Sequence, residues 1–592
     1  SILTLLMITA FLNSTANRDI SSGMSALVFS SPIKKRDYFF GKFIGALAIS
    51  FIPVLGVSLG MLIAPLLPWA NTDRFGDIFW GSHLEAWLVF GVANTLILAV
   101  IIYALALTFR SVIISFVGAM GILVIVSIGS VMATNLDNEW LAALIDPFGM
   151  QALDLVSKFM TIEEQNTMTA PFAGWLLYNR LLWFGLSALI MAFMYFRFSF
   201  TPKERKVRKK AMATSAAEQE AIPVFETFKT FAEPTGRLFS PESFARTTWF
   251  QTQSIIRNTT FLIIVIIGLI NMIVNLTFFS DLYGTSVYPT SYAVVDRIGA
   301  SFSMFMIAII IFYTGVLVWK ERDAKINDII DASSVPTASL LLPKFVAMMI
   351  TLFMVQLAVM AVGMLTQLAY GYPQIDLQVY VVELLISDML MFAHYTMAAL
   401  LIHYLVNNRY VGYFVFVVLL IVTSAIPQAL RSEFNMLLLW GRPTAIFSDM
   451  NAYGPFIPGM VWFNIYWMLF SALLMLGVYA FYVRGQQQNM KSRLTEARTR
   501  LAKARVPAAT LLFGFLLMAG WVCYNTAVIN TYQSSRQTEL AQRDYELTYK
   551  HFEGTAQPRW VSFDYEIDIY PYERNLFVKA DAQIVNKTEV VI

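Results

Sequence analysis

Apolar residues in this chain fall in long, nearly uninterrupted runs separated by short polar stretches. A membrane-spanning helix needs about 20 mostly apolar residues, because the hydrocarbon layer is about 30 Å thick and each helical residue advances about 1.5 Å. On that rule the runs at 41–66, 86–109, 111–133 and 172–197 predict four spans, preceded by a shorter apolar segment at 1–12. A second group lies at 256–279, 299–319, 341–369, 381–405, 410–427 and 460–483, and a last run covers 507–526. Residues 241–255 mix aromatic and polar side chains and predict an interfacial helix along one leaflet, with a plain loop as the alternative. Beyond 526 the pattern changes. Residues 533–557 predict a charged helix or stalk. Val561–Ile569 and Leu576–Ile584 alternate apolar with polar, and the cluster Pro571–Asn575 between them reads as a turn joining two half-buried strands.

The two groups of spans share landmarks in the same order. Arg18-Asp19 followed by Pro32 recurs as Arg322-Asp323 followed by Pro336, and Lys42-Phe43 recurs as Lys344-Phe345. Glu85, Arg110 and Pro147 have counterparts in Glu383, Arg409 and Pro443. The separation drifts only from 304 positions (Asp19 to Asp323) to 296 (Pro147 to Pro443). Ordered matches at a nearly constant separation point to duplicated modules in the same orientation, a parallel repeat. Moving 256–279 back by that separation places its counterpart before Ser1, so a span and an interfacial helix, about 50–60 residues, are expected upstream. Likewise, the apolar Val590–Ile592 leads to the expectation of more β-structure downstream. The expected fold is a mainly α-helical polytopic membrane protein. It has two tandem six-span modules, the first lacking its first span, then one extra span and the start of a β-rich outer domain. The boundaries are 1–197 and 241–483 for the modules, 198–240 and 484–506 for two linkers, 507–526 for the extra span and 527–592 for the outer segment.

Composition agrees with lipid as the solvent. The chain is 57% hydrophobic and 14% charged, whereas soluble domains are about a quarter charged. The net charge of +3 says less than its placement. One set of loops carries Arg18, Lys34–Arg36, Arg110, Lys203–Lys210, Lys320, Arg322, Lys325, Arg409 and the stretch 484–505. The other set, before the last span, carries only Arg74, Lys158, Arg297, Arg431 and Arg442. The positive-inside rule makes the first set cytoplasmic and everything after 526 outer, in a bacterial inner membrane.

Much chemistry is missing from the sequence. The single cysteine, Cys523, allows no intrachain disulfide and no thiolate cluster. None of His83, His394, His403 and His551 has a ligand partner four residues on, so no metal site is expected. Neither a Gly-x-x-x-x-Gly-Lys phosphate loop nor a His-Glu-x-x-His helix occurs, no catalytic residue is expected, and nothing points to nucleic acid. Polar residues inside spans are candidates for a transport path by default. These are Asn94, Thr95, Asn271, Asn275, Asp388 and His394. Asp388 and His394 stand six apart, about 120° from each other on a helix. That divergence favours polar seams between helices over a proton relay.

Two short basic-side segments recur. The first runs from Arg18 and Asp19 to Pro32, with Ile20, Met24, Leu27 and Val28 on one helical face. The second runs from Glu321, Arg322 and Asp323 to Pro336, with Ile326, Ile329 and Ile330 on one face. Either they transmit motion from a docked partner or they are amphipathic turns resting on lipid headgroups. With them in place, residues 1–483 resemble the type-2 ABC exporter-like permeases. The resemblance implies that these segments are coupling helices, with Arg18, Asp19, Ile20, Met24, Leu27, Glu321, Arg322, Asp323, Ile326 and Ile330 facing the partner. It also implies re-entrant outer segments at 134–171 and 428–459. The partner would be two copies of a cytoplasmic ABC ATPase, which brings ATP and magnesium, so this chain needs no cofactor of its own.

The strand Tyr565-x-Ile-x-Ile569, the turn at Pro571 and the second strand ending at Asn586-Lys-Thr588 resemble the start of the N-terminal β-domain of gluzincin aminopeptidases. A generic β-sandwich is the alternative. Together the two resemblances match permeases fused to an outer peptidase module. They imply membrane lipids as surroundings, an outer partner or peptide substrate, and zinc only in a segment after Ile592. The expected function is the transmembrane subunit of an ATP-driven transporter. A membrane-anchored peptidase platform and a proton-coupled carrier are the alternatives, and whether the protein is an enzyme stays open.

Overall fold

Every long apolar run becomes a helix, as it must where no water can satisfy backbone N–H and C=O groups. The computed structural model describes residues 2–68, 80–134, 136–200, 240–277, 287–332, 335–430, 433–482, 484, 490–530, 532–573 and 575–592. Among them, ten helices are long and apolar enough to cross a membrane. The protein is a mainly helical, multi-pass membrane protein.

The first helix set comprises α1 (Ile2–Ser21), the short α2 (Ser25–Ser30), α3 (Lys35–Ile63), α4 (Trp80–Phe109) and α5 (Val112–Met132). Three short helices follow, α6 (Glu139–Ile145), α7 (Met150–Ser157) and α8 (Ile162–Thr167), and then α9 (Gly174–Arg197). A second set follows with α10 (Pro241–Ile256), α11 (Thr259–Thr277), α12 (Ser291–Asp323), the short α13 (Asn327–Ala332) and α14 (Thr337–Ala369). It ends with α15 (Leu377–Leu405), α16 (Arg409–Leu430) and α17 (Ile457–Phe481). Both α4 and α15 contain one stretch of π-helix at their start, Ala86–Val92 and Val381–Ser387. Such a widened turn is rare in helices.

The chain divides into two compact units: residues 1–419 with 444–515, and 420–443 with 516–592. In the first unit, α1 packs on α3, α4 and α5, and α12 packs on α11, α14 and α15. Leu5, Ile8, Leu12, Phe39, Ile102 and Tyr103 form the buried centre of the first set. The Tyr103 hydroxyl, stranded in that apolar centre, donates to the Phe39 carbonyl at 3.0 Å. The two sets meet along α5 and α11, where Asn275 donates to Ser127 Oγ at 3.3 Å and Phe116 packs on Phe312.

Residues 490–503, expected within a basic linker, form a helix, α18 (Met490–Lys503). Its Arg493 is buried and donates to the carbonyls of Tyr404 and Leu405 and to Asn407 Oδ1 at the end of α15. Those carbonyls are left open where a helix stops, and an arginine fork closes them. The linker region 201–239 lies outside the described residues. The segment 134–171 contains α6 to α8, whereas the described residues between 433 and 456 carry only the one-turn helix Gly454–Phe456 and the bridge Ser448–Ala452.

The second unit takes up the extra span, α19 (Arg505–Cys523), from Leu516 onward, and that helix runs into π-turns at Tyr524–Ile529. The stalk helix α20 (Ser535–Tyr549) starts with a capping box between Ser534 and Gln537. Ser535 donates twice to the Glu433 carboxylate, and these bonds hold that group below its ordinary value. Strands β1 (Arg559–Tyr570) and β2 (Asn575–Val585) pair antiparallel, with Tyr565 opposite Ala580. Both faces of the hairpin are exposed.

Candidate functional site

The two short helices α2 and α13 sit at the basic end of the helix sets, and each is tied down in the same way. After α1, Gly23 takes a left-handed conformation at φ 72° that turns the chain into α2. After α12, Lys325 does the same at φ 57°. Beside the first turn, Lys42 of α3 reaches back 23 residues to Asp19 at 2.6 Å. Beside the second, Lys344 of α14 reaches back 23 residues to Glu321 at 2.8 Å. Each acid ends a span, each lysine opens the next, and the ion pair staples the two helices around the short one.

The two arrangements share one separation along the chain. The sequence landmarks place Asp19 against Asp323, 304 positions apart. In the structure, Asp19 and Glu321, Gly23 and Lys325, Ser25 and Asn327, Lys35 and Thr337, and Lys42 and Lys344 are each 302 positions apart. Function of position overrides identity here, since a glutamate can replace an aspartate as the lysine's partner. Asp323 instead pairs with Arg409 at the start of α16, at 2.6 Å. Burial would raise the Asp19 carboxyl, but the bonds from Lys42 and the Tyr38 hydroxyl outweigh it and hold the group below its ordinary value.

What the short helices present outward is apolar. Leu27 is 66% exposed and Ile329 75%. Ile20, Met24 and Ile326 are also exposed, whereas Ile330 is half-buried, as is Val28. Arg18 is exposed and Arg322 half-buried, its guanidinium over the Trp319 ring. Phe29 anchors α2 by packing on Tyr38 and Phe200. The signal for this device lay in the sequence as an acid followed 23 residues later by a lysine, a spacing that only the helix–turn–helix geometry makes meaningful.

The polar residues within the helices form seams. Asn271 donates to the Ser301 carbonyl of α12, and Asn275 donates to the Asn271 carbonyl and to Ser127. Asp388 accepts from Gln356 of α14, and His394 shares a hydrogen bond with Ser471 of α17 at 2.9 Å. These are two different neighbours. Thr95 donates within its own helix to Gly91. Asn94 is the exception in its chemistry: it donates to the Phe148 carbonyl and accepts from Arg180 at 2.7 Å. Arg180, buried to 2% exposure, was not singled out by sequence because it stands alone in an apolar stretch. No group of three or more metal-ligating side chains is present among the described residues.

The chain matches no known protein family, no curated protein and no solved structure.

Proposed function

We propose that this chain is the transmembrane subunit of an ATP-driven transporter, built on two tandem helix modules in the same orientation. In this reading α2 and α13 are the docking elements for two copies of a separate cytoplasmic ATPase. The observation that carries it is the recurrence of one device: a six-residue helix with an exposed apolar face, set by a left-handed turn and stapled to two spans by an acid–lysine pair. A rigid, doubly tethered element converts movement of a docked partner into movement of spans. An amphipathic turn resting on headgroups needs neither the staple nor its repetition. The hairpin β1–β2, apolar on exposed faces, fits the outer peptidase-like module that its resemblance implies, since two strands alone are marginal.

The test is co-purification. Leu27→Asp combined with Ile329→Asp should leave membrane insertion unchanged and strip the ATPase from the purified complex. Each buried apolar anchor is worth about 1.5–3 kcal/mol, so losing both should weaken docking by more than about a hundredfold. A Lys209→Glu change in the linker serves as the control. Retention of both ATPase copies by the double variant would remove the transporter reading.

A further inference from the structure

At the end of the first set opposite the basic loops, α4 and α9 flank an open cleft of 630 Å³. That is within the range of sites that hold a small ligand, about 300–1,000 Å³. Its walls are mostly apolar, with Leu84, Leu88, Val89, Phe172 and Phe184 prominent. Two ionisable side chains break that pattern, Glu85 and Arg180.

Arg180 is incompletely used by the protein. Nη1 donates to Asn94, and the guanidinium lies 5.4 Å from the centre of the Phe90 ring. Nε and Nη2 have no hydrogen-bond partner among the described residues. Its nearest electrostatic counterpart is Asp146, but both oxygens of that carboxylate already accept from the backbone N–H groups of Phe148, Met150 and Gln151. Gly149 makes room for the fork, since a Cβ there would lie 1.5 Å from Nη2. Glu85 Oε1 is likewise buried without a hydrogen-bond partner among the described residues. Buried polar groups without partners are costly and call for a ligand, water or ion. Here a cation and an anion, both under-bonded, share one apolar cleft without satisfying each other.

Aromatic side chains gather at the cleft's end of these helices. Trp80 opens α4, and Trp175 and Tyr178 open α9, with Trp140 packed near Trp175. Indole and phenol rings collect at the membrane–water boundary. Arg180 is five residues below Trp175, about 8 Å along the helix.

We infer that this cleft binds a phospholipid whose headgroup carries both a phosphate and a primary ammonium, whose N–H groups a carboxylate can accept from. The phosphate takes the free donors of Arg180, the ammonium meets Glu85, and the upper acyl chain lies on Leu84, Leu88 and Phe184. This inference does not depend on the ATPase partner.

The experiment uses the full chain in nanodiscs of phosphatidylcholine doped with a photoreactive phosphatidylethanolamine, with cross-links mapped to peptides. Labelling should fall on 81–93 and 169–184, and unlabelled phosphatidylethanolamine should compete better than phosphatidylcholine. Arg180→Gln should weaken labelling about tenfold or more, the value of charged hydrogen bonds. Glu85→Gln should keep labelling but erase the preference for the primary-ammonium headgroup. Leu88→Trp, which keeps both charges and fills the cleft, should abolish labelling even if Arg180→Gln fails to fold. Labelling confined to other surfaces, or unchanged in Leu88→Trp and Glu85→Gln, overturns the inference. Competition by soluble O-phosphoethanolamine as strong as that by the lipid overturns the lipid source and leaves a headgroup-sized solute.

Discussion

The two helix sets share a frame and differ in what they bury. At the basic end each has the left-handed turn, the short exposed helix and the ion-pair staple, placed 302 positions apart. Elsewhere the polar interior diverges. The first set buries Arg180 against Asn94, with Asp146 capping α7 nearby. The second set buries hydrogen-bonded seams, among them Gln367 between the Pro289 carbonyl and the Tyr380 hydroxyl, and His394 with Ser471. A geometry needed to hold a short helix leaves few choices of residue. A buried polar site needs only that its donors and acceptors be matched, so the two copies are free to hold different chemistry.

The staples themselves differ in burial, and that difference can be broken first. The Lys344 side chain is 2% exposed, whereas Lys42 and Asp19 are 18% and 19% exposed. Glu321→Gln should cost about 3–5 kcal/mol, because it leaves the fully buried Lys344 ammonium without its partner. Asp19→Asn should cost about 1 kcal/mol, because Lys42 keeps access to solvent. Thermal unfolding of the purified chain should separate the two variants by several degrees. The first pair also has a pH signature. The Asp19 carboxyl is held below its ordinary value, so its contribution is complete above the unfolded carboxylate's titration near pH 4 and is lost as pH falls through the lower folded value. Lys42→Met should therefore flatten the acid limb of the stability profile.

Next in size is the contact of His403 with its glycines. A Cβ at Gly412 would lie 2.3 Å from His403 Nδ1, and one at Gly315 would lie 2.8 Å from Cε1. A ring cannot swing aside as a leucine end can, so Gly412→Ala should destabilise by about 1–3 kcal/mol. Gly118→Ala in the first set meets only the flexible Leu105 Cδ1 and should cost less. The same unfolding assay checks both.

The turns come third. Gly23→Ala should cost about 1 kcal/mol, and Lys325→Gly should gain up to about 1 kcal/mol, because a side chain with positive φ is strained. Equal and opposite shifts would show that the two turns are one device with different residues. The smallest effect is expected at the exposed apolar faces. Leu27→Ser and Ile329→Ser should each change stability by less than about 0.5 kcal/mol. A larger change would show that these faces already hold part of the fold.

Much of this organisation can be read in the chain alone. The apolar runs mark the spans, because a helix is the only open-ended way to carry a backbone through hydrocarbon. The observed helices Lys35–Leu66, Val112–Met132 and Gly174–Arg197 match the runs at 41–66, 111–133 and 172–197 to within a turn or two. The hairpin also follows from period-2 alternation, with β1 and β2 each extending one or two residues past the expected limits. Within the basic linker 484–506, residues 490–503 form a helix whose Arg493 closes the carbonyls at the end of a neighbouring helix, a contact that charge and composition do not announce.

What the sequence determined, then, is the set of elements and the side of the membrane pattern on which charge collects, because both depend on local composition and period. Only the tertiary structure decided which acid each lysine takes, since the pair joins positions 23 apart across a turn and ignores whether the acid is Asp19 or Glu321. It alone decided that Arg180 meets Asn94, 86 residues away, with two nitrogens left over in a cleft. Long-range contacts of that kind leave no period in a sequence, because each partner looks locally like an isolated polar residue in an apolar helix.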